Sequence, residues 1–108
     1  MSGFSNISLK RDYNRWNKKY WNYELPDETD IIFSPVPDDR DADCNKQNDG
    51  SFLIRISPIY QASRPATRWF LSHEMCHIPT WHGKAFHGDL FYAEWLRVLN
   101  AGLLRELY

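Results

Sequence analysis

His73-Glu74-Met75-Cys76-His77-Ile78-Pro79 is the stretch on which the reading of this 108-residue chain turns. If its first five residues are helical, the imidazoles at 73 and 77 lie one turn apart on one face, close enough to hold a single metal ion. Glu74 then stands beside them, where a carboxylate can take a proton from water and later hand it to a leaving amine. Pro79 ends the helix, because its ring and missing N–H cannot continue the ladder.

The pattern H-E-x-x-H is that of zinc hydrolases, and two imidazoles leave such a site one protein ligand short. Candidates downstream are His82, His87, Asp89 and Glu94. The interval to His82 is one residue shorter than in H-E-x-x-H-x-x-G-x-x-H, and the glycine of that pattern is missing, which argues against the metzincin arrangement. Cys76 points about 100° away from His77 on a helical wheel and is set aside.

Two stretches read as H-G-x-x-F: His82-Gly83-Lys84-Ala85-Phe86 and His87-Gly88-Asp89-Leu90-Phe91. Together with the H-E-x-x-H segment they resemble the SprT-like zinc metallopeptidases, the family that includes the Spartan protease. The resemblance implies that the histidine of H-G-x-x-F opens the helix after the active-site helix and is the third zinc ligand, while its phenylalanine packs inward. Both His82 and His87 fit that role. Helix chemistry favours His87: Gly88 and Asp89 then fall in the first turn, where Asp suits the dipole, rather than in the interior, where both are poor formers. Phe91, Trp95, Val98 and Leu99 follow at helical spacing. Carried over residue by residue, the resemblance implies zinc on His73, His77 and His87, with Glu74 as general base. Glu94, the gluzincin-style alternative, reads as an exposed carboxylate two turns into the last helix.

Working outward, the length allows one domain with a single modest core, over residues 9–108 after a loose lead-in at 1–8. Hydrophobic residues at 43% and aromatics at 16%, with five tryptophans, argue for a globular chain rather than a disordered one. No apolar run approaches the roughly twenty residues that span a bilayer, and the polar start lacks a signal-peptide core. Two cysteines, Cys44 in a polar loop and Cys76 in the helix, make no disulfide framework. The expectation is a soluble, cytoplasmic monomer. A net charge of −1 supplies no global field for nucleic acid.

Residues Leu9 to Glu24 read as an amphipathic helix, with Tyr13, Trp16 and Tyr20 on its apolar side. Arg11, Arg15, Lys18 and Lys19 share the other face, which is a solvated surface or a weak phosphate-tracking stripe for DNA. Leu25-Pro26 stops the helix. Ile31-Ile32-Phe33-Ser34 reads as a strand, and this early helix and strand resemble the start of a SprT-like domain. A weak strand around Asp43 to Lys46, the hairpin signal Asn48-Asp49-Gly50 and the alternating Ser51-Phe52-Leu53-Ile54-Arg55-Ile56-Ser57 follow. The hairpin is the natural edge for a substrate backbone to join as an added strand. Ser63-Arg64-Pro65 suits a cap with an early proline, so the active-site helix spans Arg64 to Ile78. The last helix starts at His87, and Gly102 makes helicity beyond it doubtful.

The fold class expected is α+β: a minimal zincin-like domain with an N-terminal helix, a small three-stranded antiparallel sheet, the active-site helix and a C-terminal helix. The activity expected is zinc-dependent hydrolysis of peptide bonds in protein substrates, including DNA-associated or DNA-crosslinked proteins as the resemblance implies. The alternative is a non-catalytic zinc-binding module for protein or DNA interaction. Tyr92 and Arg55 are possible donors to an oxyanion.

Overall fold

The computed structural model describes residues 5–81 and 87–107. The first helix, α1 (Asn6–Trp21), starts where the Ser5 hydroxyl accepts from the Ser8 amide at 3.2 Å. It ends where Asn22 turns left-handed at φ 50° and the Tyr23 amide donates back to the Asn17 carbonyl at 2.9 Å. The helix is therefore displaced toward the N-terminus from the expected Leu9–Glu24, and its first turn lies within the expected lead-in. The apolar row did not reveal this, because a side-chain cap, rather than burial, sets the start. Leu9, Tyr13, Trp16 and Tyr20 are buried along one side as expected. Asn17, also buried, brackets the next segment by donating to the Leu25 carbonyl and accepting from the Leu25 amide.

Strands β1 (Asp30–Phe33), β2 (Ala42–Lys46) and β3 (Phe52–Ile56) form one sheet in the order β1-β3-β2. The α+β layout is the expected one, but the sheet is mixed: β2 and β3 are antiparallel, whereas β1 runs parallel to β3. The cause is the connection from Ser34 to Asp41, which carries the chain past β3 to its far side before β2 begins. A tight turn then reverses β2 into β3, with Gly50 at φ 90° and its amide donating to the Gln47 carbonyl at 2.9 Å. That positive φ is the reason the turn requires glycine. Cys44, expected in a polar loop, lies buried in β2 opposite Ile54.

Ser63 caps α2 (Arg64–Met75) through the Ala66 amide, as the sequence implies. The helix ends at Met75, short of the expected Ile78. Its continuation tightens into successive three-residue turns, with His77 N–H donating to the Glu74 carbonyl at 3.1 Å and Ile78 N–H to Met75 at 3.2 Å. Helix α3 (Asp89–Val98) begins two residues after His87, with Gly88 at the cap. The chain then widens through Leu99–Leu103, where Gly102 sits at φ 122°, and closes in a last helical turn, α4 (Leu104–Glu106). Helical structure thus continues past Gly102. Buried Leu103 and Leu107 hold it down, and the Glu106 carboxylate accepts from Trp16 Nε1 and Tyr20 O–H while pairing with Lys19.

The core sits between the sheet and the helices, built on Tyr13, Trp16, Ile54, Ile56, Leu71, Met75, Phe91 and Val98, all at most 1% exposed. Leu71 and Met75, both fully buried, fix the rotation of α2 and so turn its opposite face, with Trp69, Phe70, His73 and, just past its end, His77, toward a cavity. Arg68 Nε donates to the buried Asp12 carboxylate at 3.1 Å, tying α2 to α1.

Candidate metal centre

Two elements bring three imidazoles together. His73 is in the last turns of α2, His77 lies just past its end, and His87 precedes α3. One ligand nitrogen from each lies within 4.8 Å of the other two. His73 Nε2 and His87 Nε2 are 3.3 Å apart. Two nitrogens bound tetrahedrally to one zinc, each at ~2.0–2.1 Å, would lie about 3.3–3.4 Å apart, so this edge of the triangle already has the right length. The donor set, three imidazoles converging on one point, fits a zinc-like divalent ion.

The side chain that holds this arrangement is Phe91. It is 1% exposed, and its ring lies 4.3 Å from the His77 ring in a stacked contact, 4.8 Å from His73 and 5.0 Å from His87. Trp95, one turn further along α3, packs edge-on against His73 at 5.4 Å. The phenylalanine of the second H-G-x-x-F stretch thus packs inward, as expected. The first stretch, His82 to Phe86, lies outside the described residues.

Burial sets the protonation of the site. It lowers the pKa of both His73 and His77 to about 4, with neighbouring imidazoles adding to the effect, so both are neutral and offer a lone pair. Glu74, 6% exposed, is pushed up to about 8, first by burial and then by the Asp43 carboxylate, with Arg40 opposing. Its Oε1 lies 3.9 Å from His77 Nε2. With the acid shifted up and the base shifted down, this contact joins neutral groups rather than an ion pair.

A cavity of about 580 Å³ opens over the histidines. One wall is β2 with the residues leading into it, Arg40 to Lys46; the other carries Trp69, Phe70, His73, Glu74, His77, Trp81 and His87. The β2 wall is a sheet edge. The Asp41 carbonyl accepts from Ser57 N–H at 2.8 Å, and Gln47 N–H donates to the Ser51 carbonyl at 2.7 Å. Antiparallel pairing alternates, so the odd-numbered residues of β2 turn their backbone groups toward β3. Those of Ala42, Cys44 and Lys46 point outward, and no strand among the described residues covers them.

Among the alternative candidates, Glu94 is no free carboxylate: it accepts from Arg97 at 2.9 Å and from Trp21 Nε1 at 2.5 Å, and these bonds, Arg97's above all, hold its pKa below the ordinary range. Arg55 is clamped by both oxygens of Asp43, its cross-strand partner, and is absent from the cavity lining. Tyr92 is exposed, with its ring 6.4 Å from that of His87. Cys76 is fully buried, and burial pushes its thiol pKa up. On α1, Arg15 pairs with Asp12 and Glu106, and Lys19 with Glu106, so half of the basic stripe is already engaged. Sequence reasoning overlooked Arg40, Trp69 and Trp81 as parts of the site. Trp69 could have been found, since it stands one helical turn before His73; Trp81 and Arg40 lie outside the helices, where no periodic signal applies.

No described helix is long and apolar enough to cross a membrane. Compared with family models, with curated proteins and with solved structures, the chain finds no match in any of the three.

Proposed function

We propose that the chain is a zinc-dependent metallopeptidase of SprT-like type, acting on protein or peptide substrates inside the cell. The observation that carries this reading is the convergence of His73, His77 and His87 on one point, with Glu74 beside it at the floor of an open cleft. Zinc, when bound, supplies Lewis acidity: it polarises a carbonyl and lowers the pKa of a water toward neutrality.

The chain's own residues do the rest. Glu74 accepts the proton of the attacking water and passes it to the leaving nitrogen. Burial holds its pKa high, and the charge of a nearby cation draws it back down, placing the carboxyl between donor and acceptor roles. The outward amides and carbonyls of Ala42, Cys44 and Lys46 pair with the substrate backbone and hold it extended past Glu74. Arg40, exposed on the cleft wall, is a better placed cation for the carbonyl oxygen than the clamped Arg55. Contact with DNA, if the substrates are DNA-associated proteins, falls to Arg11 and Lys18 and is weak.

The test combines metal content with turnover. The purified chain should hold one zinc and cleave an unfolded protein substrate; Glu74→Gln should hold the same zinc and lose cleavage by ~10³-fold or more, as expected when a general base is removed. A chain that binds zinc but in which parent and variant are equally inactive would instead be a zinc-binding interaction module.

A further inference from the structure

We infer that the cleft selects a large apolar side chain on the C-terminal side of the bond it cleaves, received by Trp69 and Phe70. This rests on the peptidase reading and adds its specificity. Trp69 and Phe70 stand four residues before His73 and Glu74 on α2, so they extend the metal-binding face by one turn, about 5.4 Å. Both line the cavity. Trp69 is 39% exposed, an unusual surface position for so large an apolar ring, and it is braced edge-on by Trp95 at 5.1 Å. Phe70 is braced by Tyr60 at 4.7 Å, and Tyr60 O–H donates to Asp41 at 2.5 Å, closing that end of the cleft against the start of β2. Two rings fixed from behind and open in front form an apolar pocket wall at little entropic cost.

The side of the bond follows from chain direction. The start of β2 lies beside Tyr60 and Phe70, at the beginning of α2. Its end, Lys46, pairs with Phe52, whose ring meets Trp81 at 5.3 Å beyond the end of α2. Thus β2 and α2 point the same way along the cleft. A peptide joining β2 in the more stable antiparallel sense enters at the Trp81 end and leaves at Trp69. One helical turn corresponds to one or two residues of extended chain, at ~3.3 Å each. The selected side chain is therefore the first or second after the cut.

The zinc-loaded full chain would be given a randomised peptide mixture and the products read by mass spectrometry. Large apolar residues should be enriched at the first or second position after the cut. The ratio of kcat/KM for a bulky peptide over its alanine counterpart should fall about tenfold in Trp69→Ala and be largely kept in Trp69→Phe. The same pair of peptides, titrated calorimetrically into zinc-loaded Glu74→Gln, should differ in Kd by about tenfold, and Trp69→Ala should close that gap. Cleavage with no preference, a preference on the N-terminal side, or a ratio unmoved by Trp69→Ala overturns the inference and leaves the peptidase reading standing. Trp69-dependent binding without cleavage by the parent supports the pocket and removes the peptidase reading.

Discussion

Replacing Glu74 by Gln should stabilise the metal-free protein, by an amount that depends on pH. The Glu74 carboxyl ionises at 4.5 when unfolded and is pushed up to about 8 when folded. A folded pKa above the unfolded one means that its stabilising effect is complete below pH 4.5 and is lost as pH rises through 8. Between 4.5 and 7 this spans two and a half pH units at ~1.36 kcal/mol each, or roughly 3 kcal/mol of destabilisation by pH 7. Gln has no such ionisation. In chelator-treated protein the variant should therefore match the parent at pH 4.5 and exceed it by roughly 3 kcal/mol at pH 7, a Tm difference of about 10–20 °C for a domain of this size. The titrations of His73 and His77 are common to both proteins and cancel in the difference. Urea melts at half-unit pH steps measure it directly. With zinc added, the cation offsets the desolvation of the carboxylate and the gap should shrink. A metal-free difference that is flat from pH 4.5 to 8 would refute a buried Glu74, and with it the geometry assigned to the base.

Other perturbations report on separate parts of the molecule. His73→Ala, His77→Ala and His87→Ala should each abolish stoichiometric zinc, read by atomic absorption after dialysis, while His82→Ala keeps it; zinc retained in His87→Ala and lost in His82→Ala transfers the third ligand to His82. Glu106→Ala leaves the Trp16 N–H and Tyr20 O–H without their shared acceptor and frees Lys19, so the urea stability should drop by roughly 2–3 kcal/mol; an unchanged midpoint would mean that the C-terminal turn does not dock. Binding to duplex DNA, if measurable, should fall with log salt at a slope of about −2 and disappear in the Arg11→Glu, Lys18→Glu double variant, because the remaining stripe cations are held by Asp12 and Glu106. A much steeper slope would show that a different surface meets the phosphates.

What was legible in the sequence was what repeats with a period or follows from one residue's backbone chemistry. The Leu71 and Met75 row, the Ser63 cap, the turn at Gly50 and the alternation of β3 are of this kind, and so was the pairing of His73 with His77. Pro79 signalled that the helix must end, but not that it would tighten first, because the choice between i−4 and i−3 bonding depends on what the turn packs against. The parallel pairing of β1 was hidden because nothing local in Asp30–Phe33 says which strand it will meet. Glu94 was misread in part for a related reason: Arg97 lies within helical reach at i+3, but its other partner, Trp21, is 73 residues away, where no spacing rule extends. The choice of His87 was open to a local argument only because Gly88 and Asp89 suit the start of a helix and not its interior.

The three imidazoles share more than a location. All of them rest on Phe91, whose ring keeps water from them. It denies His73 and His77 the solvent that would charge them, leaving lone pairs free to bind a cation. Glu74, beside them, cannot ionise cheaply for its own reason: it is buried next to the Asp43 carboxylate. A dication in the triangle would be stabilised by neutral donors and would in turn relieve the buried acid, so binding and activation of the base are coupled through a common low dielectric. In an exposed cluster of the same residue types the histidines would begin to take up protons just below neutrality, and a solvated glutamate would be ionised whether or not a metal were near. That is why the inward-facing phenylalanine belongs to the candidate site as much as the ligands do: its contribution is to set the charge state that the chemistry starts from.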